Sequence, residues 1–286
     1  MAIVLVVRDA ARWLRECVQA LSAQTYPKVG IVAVDNASTD GSRELLQQAL
    51  GDERVVALRE NEGLPGAVRA AVGLSAVREA DYLLLLHDDT VLSPEAVARM
   101  VEAAEGIERV GIVGPKVVDW EDPRVLREVG RSTDRFAFPY SPLEDGERDQ
   151  GQYDRVREVL FVSSCAMLIS RPAWERAGLP DERFAAHHDD LDLCWRARLA
   201  GFRVVMTPLA TARHRASSMR GERADRRAAK RQRYFAERAA LASMLKNYGV
   251  VSLAWLLPLY VVQGLGKVLL FTFERRFEDV FQILSA

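Results

Sequence analysis

Cysteine is scarce in this 286-residue chain. The three present, Cys17, Cys165 and Cys194, are odd in number, far apart and match no zinc-ligand spacing, so neither a disulfide framework nor a structural zinc site is expected. They read as small core residues of a reducing compartment. Net charge is nearly absent as well: 39 Lys and Arg against 40 Asp and Glu leave −1, which excludes a globally basic nucleic-acid binder. There is no internal repeat and no low-complexity tract. The first apolar run, Ile3 to Val7, stops at Arg8-Asp9, too soon for a secretory signal, so a cytoplasmic setting is expected. What remains is an ordinary globular balance, 49% hydrophobic and 28% charged, in a length that allows one large domain or a domain with an appendage.

The apolar residues fall into short buried runs separated by helical periodicity. Ile3–Val7 reads as a first strand; Trp13, Leu14, Cys17, Val18 and Leu21 then recur at helical spacing. Ile31–Val34 is a second strand, closed by the polar cluster from Asp35 to Ser42, where Asp40 or Ser42 is expected to cap the next helix. Val55–Leu58, Leu83–Leu86 and Val110–Pro115 continue the strands, with helices between them. This alternation means βαβ units and a mostly parallel α/β sheet. Residues 119–158 lose periodicity and read as a long excursion, with room for a hairpin, of the kind that shapes a pocket. Strand character returns at Leu160–Ser170 and at Val204–Met206.

Two acidic motifs stand at element ends. Tyr82–Leu86 runs without a polar break into His87-Asp88-Asp89-Thr90, which suits a strand buried on both faces with carboxylates at its carboxyl end. Neighbouring carboxylates repel unless a cation or hydrogen bonds offset them, and Mg²⁺ or Mn²⁺ holding a diphosphate would do so. The bland reading is a solvated turn before Ser93-Pro94-Glu95. Further on, Asp189-Asp190 open a helix whose apolar face is Leu191, Cys194, Trp195 and Leu199. They are either caps favoured by the helix dipole or a general base aimed into a cleft.

Taken in order, these motifs resemble the inverting family 2 glycosyltransferases of GT-A fold, including bacterial, membrane-associated rhamnosyltransferase-like members. Trp13–Cys17 with Gln24–Pro27, the Asp35–Ser42 loop, Asn61-Glu62-Gly63, His87-Asp88-Asp89 and Asp189–Arg196 all resemble family motifs, spread from Ile3 to His214. The resemblance implies a nucleotide-sugar site at Val7, Asp35, Asn36, Asn61, Gly63 and Asp88. It implies a metal site at Asp89, Asp88 and His214 for Mg²⁺ or Mn²⁺, and Asp190 as catalytic base beside Asp189. The donor would be a UDP- or dTDP-sugar, and the acceptor a lipid-linked sugar or polysaccharide of the bacterial cell envelope. Two departures stand out: Arg8-Asp9 where many members have Tyr-Asn, and Asp189 where Glu is usual. A glycoside hydrolase would need no nucleotide loop. A sugar nucleotidylyltransferase would carry a Gly-rich loop where this chain has Arg8-Asp9-Ala10-Ala11-Arg12. A non-catalytic carbohydrate-binding or assembly module of the same fold would not need both acidic pairs.

The expected division is a catalytic domain over 1–212, with a nucleotide-sugar half to about 118 and an acceptor half beyond it. A basic, helical segment over 213–248 and an apolar segment over 249–286 follow. From Arg213 to Arg238 ten Arg or Lys stand against Glu222, Asp225 and Glu237. Gly249–Gly266 then carries no charge, before Lys267 interrupts it. Eighteen uncharged residues at about 1.5 Å each can just span a hydrocarbon core. Pro258 and the glycines permit a kink or re-entrant hairpin instead. The reading is attachment to the anionic, cytoplasmic face of a membrane. The competing reading is a buried helix pair or a homodimer interface.

Overall fold

The computed structural model describes residues 1–184, 187–216 and 232–286. The chain forms two compact units, Met1–Ser132 with Ser141–Ala185 and Asp189–Ala216, and Thr133–Tyr140 with Ala186–His188 and Ser217–Ala286.

The first unit is an α/β sandwich. Its strands are β1 (Ala2–Val7), β2 (Gly30–Asp35), β3 (Val55–Ala57), β4 (Tyr82–His87), β5 (Thr90–Leu92), β6 (Val110–Asp119) and β7 (Leu126–Glu128). β10 (Arg157–Glu158), β11 (Ala166–Ser170) and β12 (Arg203–His214) complete this set; the short β8 (Ser132–Thr133) and β9 (Pro139–Tyr140) form a separate two-stranded ribbon, with β9 in the second unit. The central order is β10-β12-β6-β11-β4-β1-β2-β3, with β5 on β12 and β7 on β6. Pairing is parallel across β4-β1-β2-β3 and between β6 and β12. β11 lies antiparallel between β4 and β6, so the sheet is mixed. Alternate residues of the inner strands serve opposite faces. Ile3, Leu5, Leu84 and Leu86 pack with Leu14, Cys17 and Leu21 of α1 (Leu14–Ser22). Val4, Leu83 and Leu85 join the other layer, with Ala67 and Val68 of α3 (Gly63–Val72). Each buried aliphatic side chain contributes about 1.5–3 kcal/mol, so this packing, more than local propensity, fixes the helices.

Two local expectations are revised. The N-cap position of α2 (Ser42–Leu50) is Gly41, in the left-handed region at φ 88°, rather than Asp40 or Ser42, but Asp40 Oδ1 still accepts the Ser42 N–H of the first turn at 3.1 Å. In addition Ser42 Oγ accepts from Ala10 N–H at 2.8 Å and Asp40 Oδ2 from Ala11 N–H at 2.9 Å, tying this loop to the end of β1. In α7 (Asp189–Leu199) the buried side is Leu191, Leu193, Cys194 and Ala197, while Leu199 is exposed and Trp195 half-buried. Asp192 is fully buried there and pairs with Arg196 at 2.7 Å, so the third acid of the motif anchors the helix. In the excursion after β6, Lys116 Nζ clamps the loop by bonds of 2.6 Å to Asp149 and 2.7 Å to Asp154.

The second unit holds helices Gln232–Asn247, Val250–Phe273 and Phe277–Ser285. Residues 217–231 of the expected basic segment 213–248 lie outside the described residues. Val250–Phe273 is a single helix through Pro258, long and apolar enough to cross a membrane. Lys267 does not break it, because Glu237 Oε1 accepts its charge at 2.7 Å.

Candidate active site

β4 delivers His87 at its end, and Asp88-Asp89 form the turn into β5. β12 ends at His214, opposite Thr90 of β5. These two strand ends, far apart in sequence, gather one carboxylate and two imidazoles. The ligating atoms of His87, Asp89 and His214 all lie within 4.8 Å of one another. His214 Nε2 is 3.2 Å from Asp89 Oδ1. Opposite ligands at about 2.1 Å from an ion stand about 4 Å apart, so the spacing fits a cation. Burial by itself lowers the pKa of His214, but Cys165 and Asp89 outweigh it and hold the imidazole well above its ordinary range. An imidazolium bound to a buried carboxylate is the charge balance that a cation would replace, with release of a proton. Asp88, expected as a second metal ligand, is not part of this cluster: its Oδ2 accepts the Arg8 N–H at 2.7 Å, which ties the ends of β4 and β1 together.

The residues expected on the nucleotide side divide into two kinds. Asp35 is buried at the end of β2, and its Oδ1 has no hydrogen-bond partner. An orphaned buried acceptor of this kind is costly unless a ligand donor satisfies it. Asn36 and Asn61 spend their amides within the protein. Asn36 Nδ2 donates to Asn61 Oδ1 at 2.9 Å and to the Gly63 carbonyl at 3.2 Å, and Asn36 Oδ1 accepts from Glu62 N–H at 2.9 Å. Asn61 Oδ1 also accepts the Gly63 N–H at 3.0 Å. These two asparagines and Gly63 therefore build a braced turn beside Asp35. Val7 is wholly buried, and its carbonyl accepts Asn36 N–H at 2.8 Å.

The second acidic pair sits alongside. Ser164, in the loop before β11, has its Oγ 3.3 Å from His87 Nε2, and the same hydroxyl acts on Asp189, drawing its carboxyl's pKa downward. One hydroxyl thus joins the His/Asp cluster to the start of α7. Asp189 and Asp190 keep part of their surface open although protein surrounds them closely. Burial raises the pKa of both carboxyls. Asp190 is raised further by the charge of Asp189, and Arg131 only partly offsets this. Arg131 is paired with buried Glu128 at 2.9 Å, and Glu128 Oε1 accepts Ser163 N–H at 2.7 Å. Asp189 Oδ2 has no hydrogen-bond partner. Two carboxyls titrating together share their protons, and such a pair near neutrality can take a proton from a substrate hydroxyl.

The family model described as "Glycosyltransferase like family 2" matches residues 1–234. The chain belongs to this family. It is a glycosyltransferase of GT-A fold, and a nucleotidylyltransferase reading is set aside. Its relatives include an N-acetylglucosaminyl-diphospho-decaprenol L-rhamnosyltransferase of Mycobacterium tuberculosis, 24% identical over 231 residues that cover 75% of each chain. The O-antigen biosynthesis protein RfbC of Myxococcus xanthus is 30% identical over 77% of this chain but only 18% of its own length. Among solved structures, GalNAc-T7 with UDP, GalNAc and Mn²⁺ matches with a TM-score of 0.61 and 15% identity, over 74% of this chain and 42% of that one. S. aureus TarS matches with a TM-score of 0.54 and 16% identity, over 76% and 37%. In this glycosyltransferase, sequence reasoning did not single out His87 as a ligand, although it stands in the motif beside Asp88. It also passed over Ser164, Glu128 and Arg131, which carry no motif signal and reach the site only through the register of β11 and the excursion.

Proposed function

We propose that this glycosyltransferase moves a sugar from a nucleoside-diphosphate donor to a lipid-linked acceptor, with inversion and with a divalent cation, at the cytoplasmic face of a bacterial membrane. The observation that carries the reading is the His87/Asp89/His214 cluster with the Ser164 hydroxyl on its His87 and, nearby, the Asp189/Asp190 carboxyls, whose pKa that hydroxyl influences. An inverting transfer needs these two functions on opposite sides of one anomeric carbon. A bound cation supplies neutralisation of the charge that develops on the leaving diphosphate. His87, Asp89 and His214 would hold it, and two imidazoles favour Mn²⁺ over Mg²⁺, which prefers oxygen donors. Asp190 takes the proton of the acceptor hydroxyl as the new bond forms. Asp189 positions it, held by Ser164. Asp35 accepts from the nucleotide base through its unpartnered Oδ1, and Asp88 braces the diphosphate end of the site through Arg8 N–H. The name of the mycobacterial relative supports a 6-deoxyhexose donated to a sugar on a polyprenyl diphosphate, in cell-envelope polysaccharide synthesis. The apolar helix Val250–Phe273 supports membrane attachment.

A screen of UDP-, dTDP- and GDP-sugars with Mn²⁺ and Mg²⁺ tests the reading, with the anomeric configuration of the product read by NMR. Nucleoside diphosphate with cation should raise the melting temperature, and Asp89→Ala should abolish the cation-dependent part. Undiminished protection in that variant removes the metal assignment. Absence of protection in the wild-type protein with either cation favours the non-catalytic module.

A further inference from the structure

The middle helix of the second unit, Val250–Phe273, has two unlike sides. Leu256, Tyr260, Gly264, Lys267 and Phe271 recur at helical spacing and form its covered side. Lys267 is the only charge in the helix, and it is turned to this side. Glu237 Oε1 accepts from its Nζ at 2.7 Å, and Glu237 Oε2 accepts from Tyr260 Oη at 3.0 Å. Phe136 and Phe138 pack on Tyr260, with ring centres 6.0 and 6.5 Å away. On the opposite side Val251, Trp255, Val262, Leu265, Leu269 and Phe273 are all exposed, and no charge stands among them. The last helix, Phe277–Ser285, is built alike: Gln282 is buried, while Phe277, Phe281 and Leu284 recur on one exposed side.

Length alone would let Val250–Phe273 cross a membrane, but its ties oppose a crossing. Arg233 Nε, at the start of Gln232–Asn247, donates to Asp279 Oδ1 at 2.8 Å, and its guanidinium lies 4.6 Å from the Phe271 ring centre. Tyr234 N–H donates to Gln282 Oε1 at 3.3 Å. The start of the first helix is thus fastened to the end of the second and to the third, and Tyr248-Gly249 connect the other ends. If Val250–Phe273 crossed, the first helix would have to cross beside it. Its 16 residues reach about 24 Å, short of a hydrocarbon core of about 30 Å, and Glu237, Arg238 and Lys246 would be carried into that core. In the plane of the interface, the same arrangement sinks only uncharged side chains among the acyl chains. From Arg213 to Arg238 ten Arg or Lys stand against three acids. That excess fits an anionic leaflet and opposes a second copy of the chain, which would bring the same charge alongside. We propose that the tail is a one-leaflet anchor, in which Val250–Phe273 and Phe277–Ser285 lie along the surface of an anionic membrane without crossing it. The inference rests on the membrane attachment proposed above and adds the way the chain sits in the bilayer.

The test uses closed vesicles of phosphatidylglycerol and phosphatidylcholine, with the full chain added outside. Gly249→Cys and Ala286→Cys, in separate proteins, are labelled with a membrane-impermeant maleimide. Cys17, Cys165 and Cys194 are buried, so the wild-type protein gives the background. Both substituted positions are exposed, and an added Cβ at Gly249 meets nothing within 4 Å. Both thiols should react to the same extent before and after detergent. A thiol at position 286 that reacts only after detergent shows a crossing and overturns the proposal. The double variant Val262→Glu/Leu269→Glu should keep the wild-type melting temperature and UDP–Mn²⁺ binding, because both side chains are exposed in the second unit. It should weaken vesicle binding about tenfold or more. Unchanged vesicle binding in that variant overturns the assignment of this face. A lipid-free dimer that the variant dissociates, with no vesicle binding by the wild type, gives the face to a second copy and removes the attachment reading itself.

Discussion

At the scale of the residue, the Asp189/Asp190 pair carries the sharpest expectations. Asp190→Asn keeps the shape and removes the basicity, so turnover should fall about 10²-fold or more while donor binding persists. Asp189→Asn should cost less, through positioning; the reverse ranking makes Asp189 the base. Because burial, joined by the Asp189 charge, raises the Asp190 carboxyl, the folded protein holds a proton there more tightly than the unfolded chain. The stability this provides is complete below the unfolded pKa and is lost as pH rises through the folded one. The melting temperature of Asp190→Asn should therefore decline less than that of the wild type between mildly acidic and mildly alkaline buffer. A parallel decline in both proteins removes the raised pKa. The wild-type rate should climb over the same range, since only the ionised pair accepts a proton. Asp35, Asp89, Asp189 and Asp190 were legible in the sequence because each stands at the end of an apolar run or the start of a helix. Ser164 was not: it meets His87 only because β11 pairs with β4 in the register Ala166↔Leu86.

At the scale of the element, the turn Asn61-Glu62-Gly63 and the end of β2 act as one piece through Asn36. Asn36→Ala removes three hydrogen bonds at a position only 3% exposed. It should lower the unfolding free energy by about 2 kcal/mol in urea titration, with the slope unchanged. It should also weaken nucleoside-diphosphate binding, because Asp35 is the next residue. Normal donor affinity in the destabilised variant would separate this brace from the nucleotide site. The parallel strands β1 to β4 could be read from alternation of apolar runs and helical periodicity, which is a local signal. The antiparallel insertion of β11 could not. Its five residues look like any buried strand, and their direction depends on how the excursion after β6 returns. The cap of α2 was placed one residue off for a related reason: Asp40 does accept the Ser42 N–H, but the segment after β1 offers Asp40 and Ser42 further donors, and Gly41 takes the N-cap position.

At the scale of the whole molecule, the apolar helix Val250–Phe273 gives the clearest expectation. Twenty-four residues at about 1.5 Å reach about 36 Å, enough for a hydrocarbon core of about 30 Å. The full chain should co-sediment with vesicles of anionic lipid, and a chain ending at Tyr248 should partition far less. High salt should loosen whatever remains of the shorter chain's binding, because surface charge attraction is screened. Equal sedimentation of both chains places attachment elsewhere. A different consequence follows from β12. It is the last strand of the sheet, yet it pairs with β6 along most of its length, accepts β5 and β10 at its sides, and ends in His214. During synthesis the nucleotide loop, the Asp88-Asp89 turn and α7 all precede it. A growing chain that has reached Arg203 leaves β6 without its parallel neighbour and lacks His214, one of the three groups of the His87/Asp89/His214 cluster. Closing that long-range pairing is a slow, high-contact-order event. On the proposed assignment, a chain stopped before β12 would hold no cation at this cluster and would turn over no donor, since the three groups come together only when the sheet is finished.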